Sequence, residues 1–258
     1  ASFGRGFFVF DDISVFRELS NSQMNDKATL FSVKNAWWYI PRPYLGFNDP
    51  WNGLKGSQGD SYFVAPNPPF GAVFTYHLSE GLVTKKEVRT KKEKSTLKKG
   101  KPVGFPGWKI VESERRELDS KVLIEVRDSN GEVVRRLEGP TSRGFHRIAW
   151  DLRYPSPNSI LGENSSANGS GFLAPPGKYN VTMFVKLDGK IEKVSDAKSF
   201  DVVPLRKGAL VTESHDKIAD FWREYEKTAK RGSAIQFEVA EILKKVDRMH
   251  LAISQSSG

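Results

Sequence analysis

The 258-residue chain contains no cysteine, which excludes a disulfide framework, a thiolate metal site and a cysteine nucleophile. It has only four histidines. His77, His146, His215 and His250 are scattered without metal-ligand spacing, and each is expected on the surface of a strand or helix. No apolar run approaches the roughly 20 residues of a membrane span. A Gly-x-Ser-x-Gly elbow, a P-loop and a dinucleotide fingerprint are absent too, so no cofactor is assigned.

What is present is a folded core with long polar insertions. Hydrophobic residues make up 38% and aromatics 12% of the chain, too apolar for a disordered segment of this length. The formal charge of +9 is concentrated rather than spread. Nine basic residues between Lys85 and Lys101 outweigh Glu87 and Glu93, and an acidic stretch with Glu112, Glu114, Glu117 and Asp119 follows. A basic run beside an acidic one reads as a solvated or self-paired insertion. A nucleic-acid-binding module is the alternative, but the interleaved aromatics of a strand-binding surface are missing from the run.

Phe3 to Phe10 reads as one strand, followed by a polar turn from Ser20 to Asp26. A lone strand is unstable in water, so its neighbours are expected upstream of Ala1 or in the next domain, and the chain reads as a processed or excised piece. Asp11 and Asp12 are adjacent on that strand and point to opposite faces, which suits turn capping better than a glycosidase carboxylate pair. Residues 1–30 form this first segment. Residues 31–70 follow as an aromatic, Pro-rich connector, because dense proline removes ladder donors and fixes φ. Its Trp37, Trp38 and Trp51 are candidates for packing against neighbouring domains or for contact with a glycan.

Regular structure is expected over residues 71–204, with a basic insertion at 79–120 that is partly helical and pinned by the Phe105-Pro106-Gly107-Trp108 stretch. Strands are predicted at Ala72–Leu78, Lys121–Arg127, Glu132–Leu137, Gly144–Leu152 and from Tyr179 through Val203. Val122, Ile124 and Val126 alternate with Leu123, Glu125 and Arg127, the period of a half-buried strand. Phe145, Ile148 and Trp150 are the expected anchors of the fourth strand. Asn130-Gly131 and Asp188-Gly189 mark hairpin turns. Short strands at this spacing argue for an antiparallel β-sandwich. Ser156–Gly171 is expected to be a mobile loop.

Over residues 205–258 the period changes. Ile218, Phe221, Tyr225, Thr228, Gly232, Ile235, Val239, Ile242, Val246, Met249 and Ile253 step by three and four, which draws one seam along one long helix. Thr212 is its expected cap, with Glu213 and Asp216 at the positive end. Ile235, Val239, Ile242, Val246 and Met249 are the candidate helix interface, to be buried by the sandwich, by a further helix or by another protein.

Several stretches carry a family resemblance. Gly4-Arg5-Gly6-Phe7-Phe8-Val9-Phe10-Asp11-Asp12-Ile13-Ser14 resembles the closing propeller strand of the BNR/Asp-box, sortilin-like proteins often labelled glycosyl hydrolases. Asn67-Pro68-Pro69-Phe70-Gly71-Ala72, Phe105-Pro106-Gly107-Trp108, Gly139 to Pro155 and Ala174-Pro175-Pro176-Gly177-Lys178-Tyr179 resemble the region after that propeller. Its core is similar to the immunoglobulin-like domain of flagellar hook-capping proteins. The resemblance implies a mainly β fold: an immunoglobulin-like antiparallel sandwich between a propeller-derived strand and a long C-terminal helix. It also implies a secreted, periplasmic or cell-surface location and an upstream propeller as partner. The family's acidic catalytic candidates lie on the blades, so no catalytic or metal-binding residue is carried onto this chain. The implied role is a non-catalytic accessory region. The alternative is part of an active glycan hydrolase that helps bind substrate through Trp37, Trp38, Trp51 or Trp108.

Overall fold

The computed structural model describes residues 12–41, 68–157, 170–206 and 213–256. Two short helices, α1 (Ser14–Glu18) and α2 (Asn21–Asn25), precede the strands β1 (Ala28–Leu30), β2 (Ala36–Trp38) and β3 (Ala72–Leu78). The insertion holds helices α3 (Lys85–Lys98) and α4 (Trp108–Arg116). Strands β4 (Lys121–Arg127), β5 (Val133–Gly139), β6 (Gly144–Trp150), β7 (Arg153–Pro155) and β8 (Ser170–Leu173) follow. Then come β9 (Gly177–Leu187), β10 (Lys190–Lys193), β11 (Lys198–Pro204) and the helix α5 (His215–Gln255). The fold is thus a set of mixed sheets with a long C-terminal helix. It divides into two units, Ala1–Asp151 with Gly177–Arg206, and Leu152–Pro176 with Lys207–Gly258.

In the first unit, one sheet runs in the order β1-β3-β6 and a second in the order β2-β11-β9-β4-β5, with β10 also on β9. The inward side chains are those that the period of two selects. Val122, Ile124 and Val126 of β4 and Tyr179, Val181, Met183 and Val185 of β9 are buried, as are Ala72, Phe74, Tyr76 and Leu78 of β3. The two sheets meet through rings: Phe74 packs edge-on against Phe200 at 5.6 Å, and Trp150 against Tyr179 at 5.3 Å. Burying such rings contributes a few kcal/mol each.

Several expectations are corrected here. The sheets are not wholly antiparallel, because β2 runs parallel to β11, pairing Ala36 with Val202 and Trp38 with Pro204. Ala36 is small enough to be buried at that edge, and Asn35 accepts a hydrogen bond from the backbone N–H of Asp201 at 3.2 Å. The connector therefore contains a paired strand, and its Phe31 is also buried. The polar stretch after Leu19 is a helix rather than a turn, since Ser20 and Gln23 form a reciprocal capping box. The loop between β4 and β5 is not built on a left-handed Asn-Gly pair. Only Gly131 has positive φ, and the buried Asp128 carboxylate organises the loop by accepting from the N–H groups of Asn130 and Glu132 at 2.9 and 3.0 Å.

The final hairpin strand is split into β10 and β11. Between them Ser195 Oγ accepts from the N–H of Met183 at 3.0 Å, replacing a ladder bond. Phe145 is 41% exposed rather than a buried anchor, although it stacks on Phe31 at 5.9 Å. His77 is a buried residue, not a surface one. β1 covers its strand by pairing Thr29 with His77, and the Phe145 ring lies 4.7 Å from the imidazole.

The second unit contains the β7–β8 hairpin and α5. Tyr154 stacks on Phe172 at 4.2 Å, and Phe172 stacks on Trp222 of α5 at 5.6 Å, which fixes the hairpin to the helix. The Asn-rich loop inside this hairpin and the expected strand at Phe3–Phe10 lie largely or wholly outside the described residues.

Candidate functional site

α5 is one unbroken helix of 41 residues across Gly232, about 60 Å long at 1.5 Å per residue. Its cap is Ser214, whose hydroxyl accepts from the N–H of Lys217 at 3.4 Å, with Asp216 in the first turn. This corrects the expected start at Thr212, which lies outside the described residues. The uninterrupted stepping by three and four keeps the seam on one side of the helix for its whole length. Only Ala219 is buried among the helix's described side chains. Ile235 is 62% exposed and Met249 64%, and Val239, Ile242 and Val246 between them are exposed as well. The five predicted interface residues thus form a continuous apolar line that is exposed among the described residues.

The charges on α5 fall into two sets. On the sides away from the seam, Arg223 pairs with Asp220 at 3.3 Å, Lys244 with Glu241 at 3.0 Å, and Lys230 with Glu226. Residues that directly precede seam positions, Glu224, Arg231, Glu238 and Lys245, are exposed, and among the described residues they make no ion pair. Sequence reasoning did not single out these four, or Trp222. The signal for Trp222 is the Phe221-Trp222 doublet, which sets one ring on the seam and the next beside it.

The basic insertion is a second candidate. Thr84 caps α3 in a reciprocal box with Glu87. Arg89 forms a two-pronged bond to Glu114 of α4, at 2.6 and 2.8 Å, and also holds Glu93 at 2.5 Å. Those bonds keep the Glu114 carboxyl below its ordinary range and push the Arg89 guanidinium higher. Lys85 reaches Asp188 at 3.0 Å, and its N–H donates to Glu117 at 2.7 Å. The acidic stretch therefore binds part of the basic one. Lys91, Lys94 and Lys98 remain around a shallow concavity with Thr84, Ser95 and Asp119. Among the described residues no cluster of His, Asp and Glu is placed to hold a metal ion.

Among the described residues Trp37 and Trp108 are not gathered into one platform. Trp37 is 57% exposed beside a half-buried Trp38, and Tyr39 contacts Phe70 edge-on at 4.8 Å. Trp108 is 79% exposed and touches Phe105 at 5.1 Å. It does not pin the insertion as expected, because the Arg89–Glu114 pair joins the helices while its ring stays in solvent. No ring contact joins Trp37 to Trp108 among the described residues, and Trp51 lies outside them.

Asp12 organises the turn that leads into α1. Its carboxylate accepts from the N–H and hydroxyl of Ser14 at 2.8 and 2.6 Å and pairs with Lys34 at 2.8 Å. Partial burial opposes ionisation, yet these partners outweigh it and bring the carboxyl to about 2. His77 is shifted down by burial and by the nearby Arg143 and His146. His146 Nε2 lies 2.6 Å from the Ser142 carbonyl oxygen, so that nitrogen carries the proton and donates.

Comparison with protein-family models, curated proteins and solved structures finds no match to this chain. No helix among the described residues is long and apolar enough to cross a membrane.

Proposed function

We propose that this chain is a non-catalytic accessory region whose immunoglobulin-like β-sandwich presents α5 as a contact helix. One observation carries the reading: the seam through Ile235, Val239, Ile242, Val246 and Met249 is exposed along its length. A continuous apolar stripe of this extent is an association surface or an aggregation liability. Two sheets joined through Phe74, Trp150, Tyr179 and Phe200 support the sandwich. The resemblance of the Trp150 stretch and of Gly4–Ser14 to exported BNR/Asp-box propeller proteins supports a place beside a propeller, which this region braces or links to a partner.

Purified chain should hydrolyse no chromogenic glycoside, and Gln substitutions along the seam should abolish its association with any partner. Turnover that a single substitution within the chain removes would overturn the reading. So would association that the seam variants leave intact.

A second reading, contact with a glycan, is favoured by the open faces of Trp37 and Trp108. Stacked sugars cover such rings and change tryptophan emission. A saturable emission change with oligosaccharide, lost in Trp37→Ala or Trp108→Ala, would support it, and a flat titration would reject it.

A further inference from the structure

We propose that the occupant of the α5 seam is a second copy of this chain, paired antiparallel so that Gly232 of one copy lies against the partner's Ile235. The seam positions repeat every seven residues without a break from Ile218 to Ile253, the pattern that makes helices supercoil in a left-handed pair. In this register the smallest seam residue, Gly232, meets a large one, and the largest rings meet aliphatic side chains. Gly232 faces Ile235, Phe221 faces Val246 and Tyr225 faces Ile242, each twice by symmetry.

The charges beside the seam select this orientation and register. Glu224, Arg231, Glu238 and Lys245 alternate in sign at intervals of seven, and none makes an ion pair among the described residues. Antiparallel pairing about Gly232 and Ile235 sets Glu224 opposite the partner's Lys245 and Arg231 opposite the partner's Glu238, four attractive pairs in all. Sliding the helices by seven residues one way sets Arg231 against Lys245 and Glu238 against its own copy. Sliding them the other way sets Glu224 against Glu238 and Arg231 against Arg231. A parallel pair would bring the four charges opposite Ala229, Gln236, Leu243 and His250 and would stack Gly232 on Gly232. Only the proposed arrangement makes every charged contact attractive, and such flanking pairs set partner and orientation in helical dimers.

The inference rests on α5 as a contact helix, but not on the propeller parentage. Sedimentation of the full chain should show reversible growth from one copy to two with concentration. Arg231→Glu alone and Glu238→Arg alone each replace two attractions by two repulsions and should weaken the dimer by roughly tenfold or more. Mixing these two variants should restore it, because every charged contact is then attractive between unlike copies. The chain has no native cysteine, so one spin label at Arg248→Cys reports orientation. The antiparallel pair places the two labels on the order of 45 Å apart, and a parallel pair less than about 20 Å. A chain that stays single, a short label distance, or charge variants that dimerise like the wild type would overturn the proposal. A chain that stays single yet binds a different protein through the seam would also overturn it, while leaving the contact-helix reading intact.

Discussion

Gly71 passes so close to the carbonyl of Trp150 that a Cβ on it would lie 1.9 Å from that oxygen. The approach is possible because Gly71 adopts a φ of +101, a conformation that side chains disfavour. It lets β3 start directly beside the end of β6, where Ala72 pairs with Trp150. Gly71→Ala should therefore cost about 3 kcal/mol or more in urea unfolding, since both the backbone conformation and the close contact must be given up.

The ring contacts between the sheets make a second prediction. Phe200 touches Phe74, Trp150 and Tyr179, and is itself buried. Phe200→Ala leaves a cavity lined by three rings that cannot collapse together, and should cost about 3–5 kcal/mol. Phe200→Leu should recover much of that loss in the same unfolding assay.

Glu125 is a buried carboxylate on β4, held by Arg136 at 2.7 Å and by Arg127 at 2.5 Å. Burial pulls its titration upward, but the two guanidinium groups outweigh burial and hold it below its ordinary value of 4.5. A carboxyl depressed in the folded state contributes stability that is present above the unfolded value and lost as pH falls through the folded one. Glu125→Gln should destabilise by about 1–2 kcal/mol at pH 7. The gap from wild type should narrow below pH 4.5; a gap constant with pH would contradict the assignment.

Arg89→Met should loosen the α3–α4 insertion without unfolding the sheets, because the two Arg89 bonds to Glu114 link the helices while no residue of either helix is buried. Amide hydrogen exchange should speed up across Lys85–Arg116 and stay unchanged in β4 and β9.

Much of the regular structure was legible in the sequence wherever a period ran long enough to fix a face. The alternation in β4 and β9 and the stepping along α5 are of that kind. So is the Asp188-Gly189 turn, where both residues take positive φ, 46 and 80. The three-residue strands β1 and β2 were not legible, because three residues define no period and their pairing is set by distant edges. For the same reason the parallel match of Ala36 with Val202 carries no local signal. The seam of the candidate site was legible as a line of apolar residues. Its flanking charges were not, since the distinction between Lys244, paired along the helix, and Lys245, which is not, appears only once the helix is built. Trp108 misled because an aromatic next to proline and glycine reads as an anchor, yet its ring stands in solvent.

The central claim is that two copies of this chain pair through the exposed line along α5. Sedimentation of the wild type beside Ile235→Gln/Ile242→Gln, over a wide concentration range, tests it most directly. Glutamine keeps the helix propensity while removing the apolar contact. The account predicts that the wild type moves to the mass of two chains while the variant stays at one, with equal helix content by circular dichroism. Identical masses for the two proteins at every concentration would contradict it.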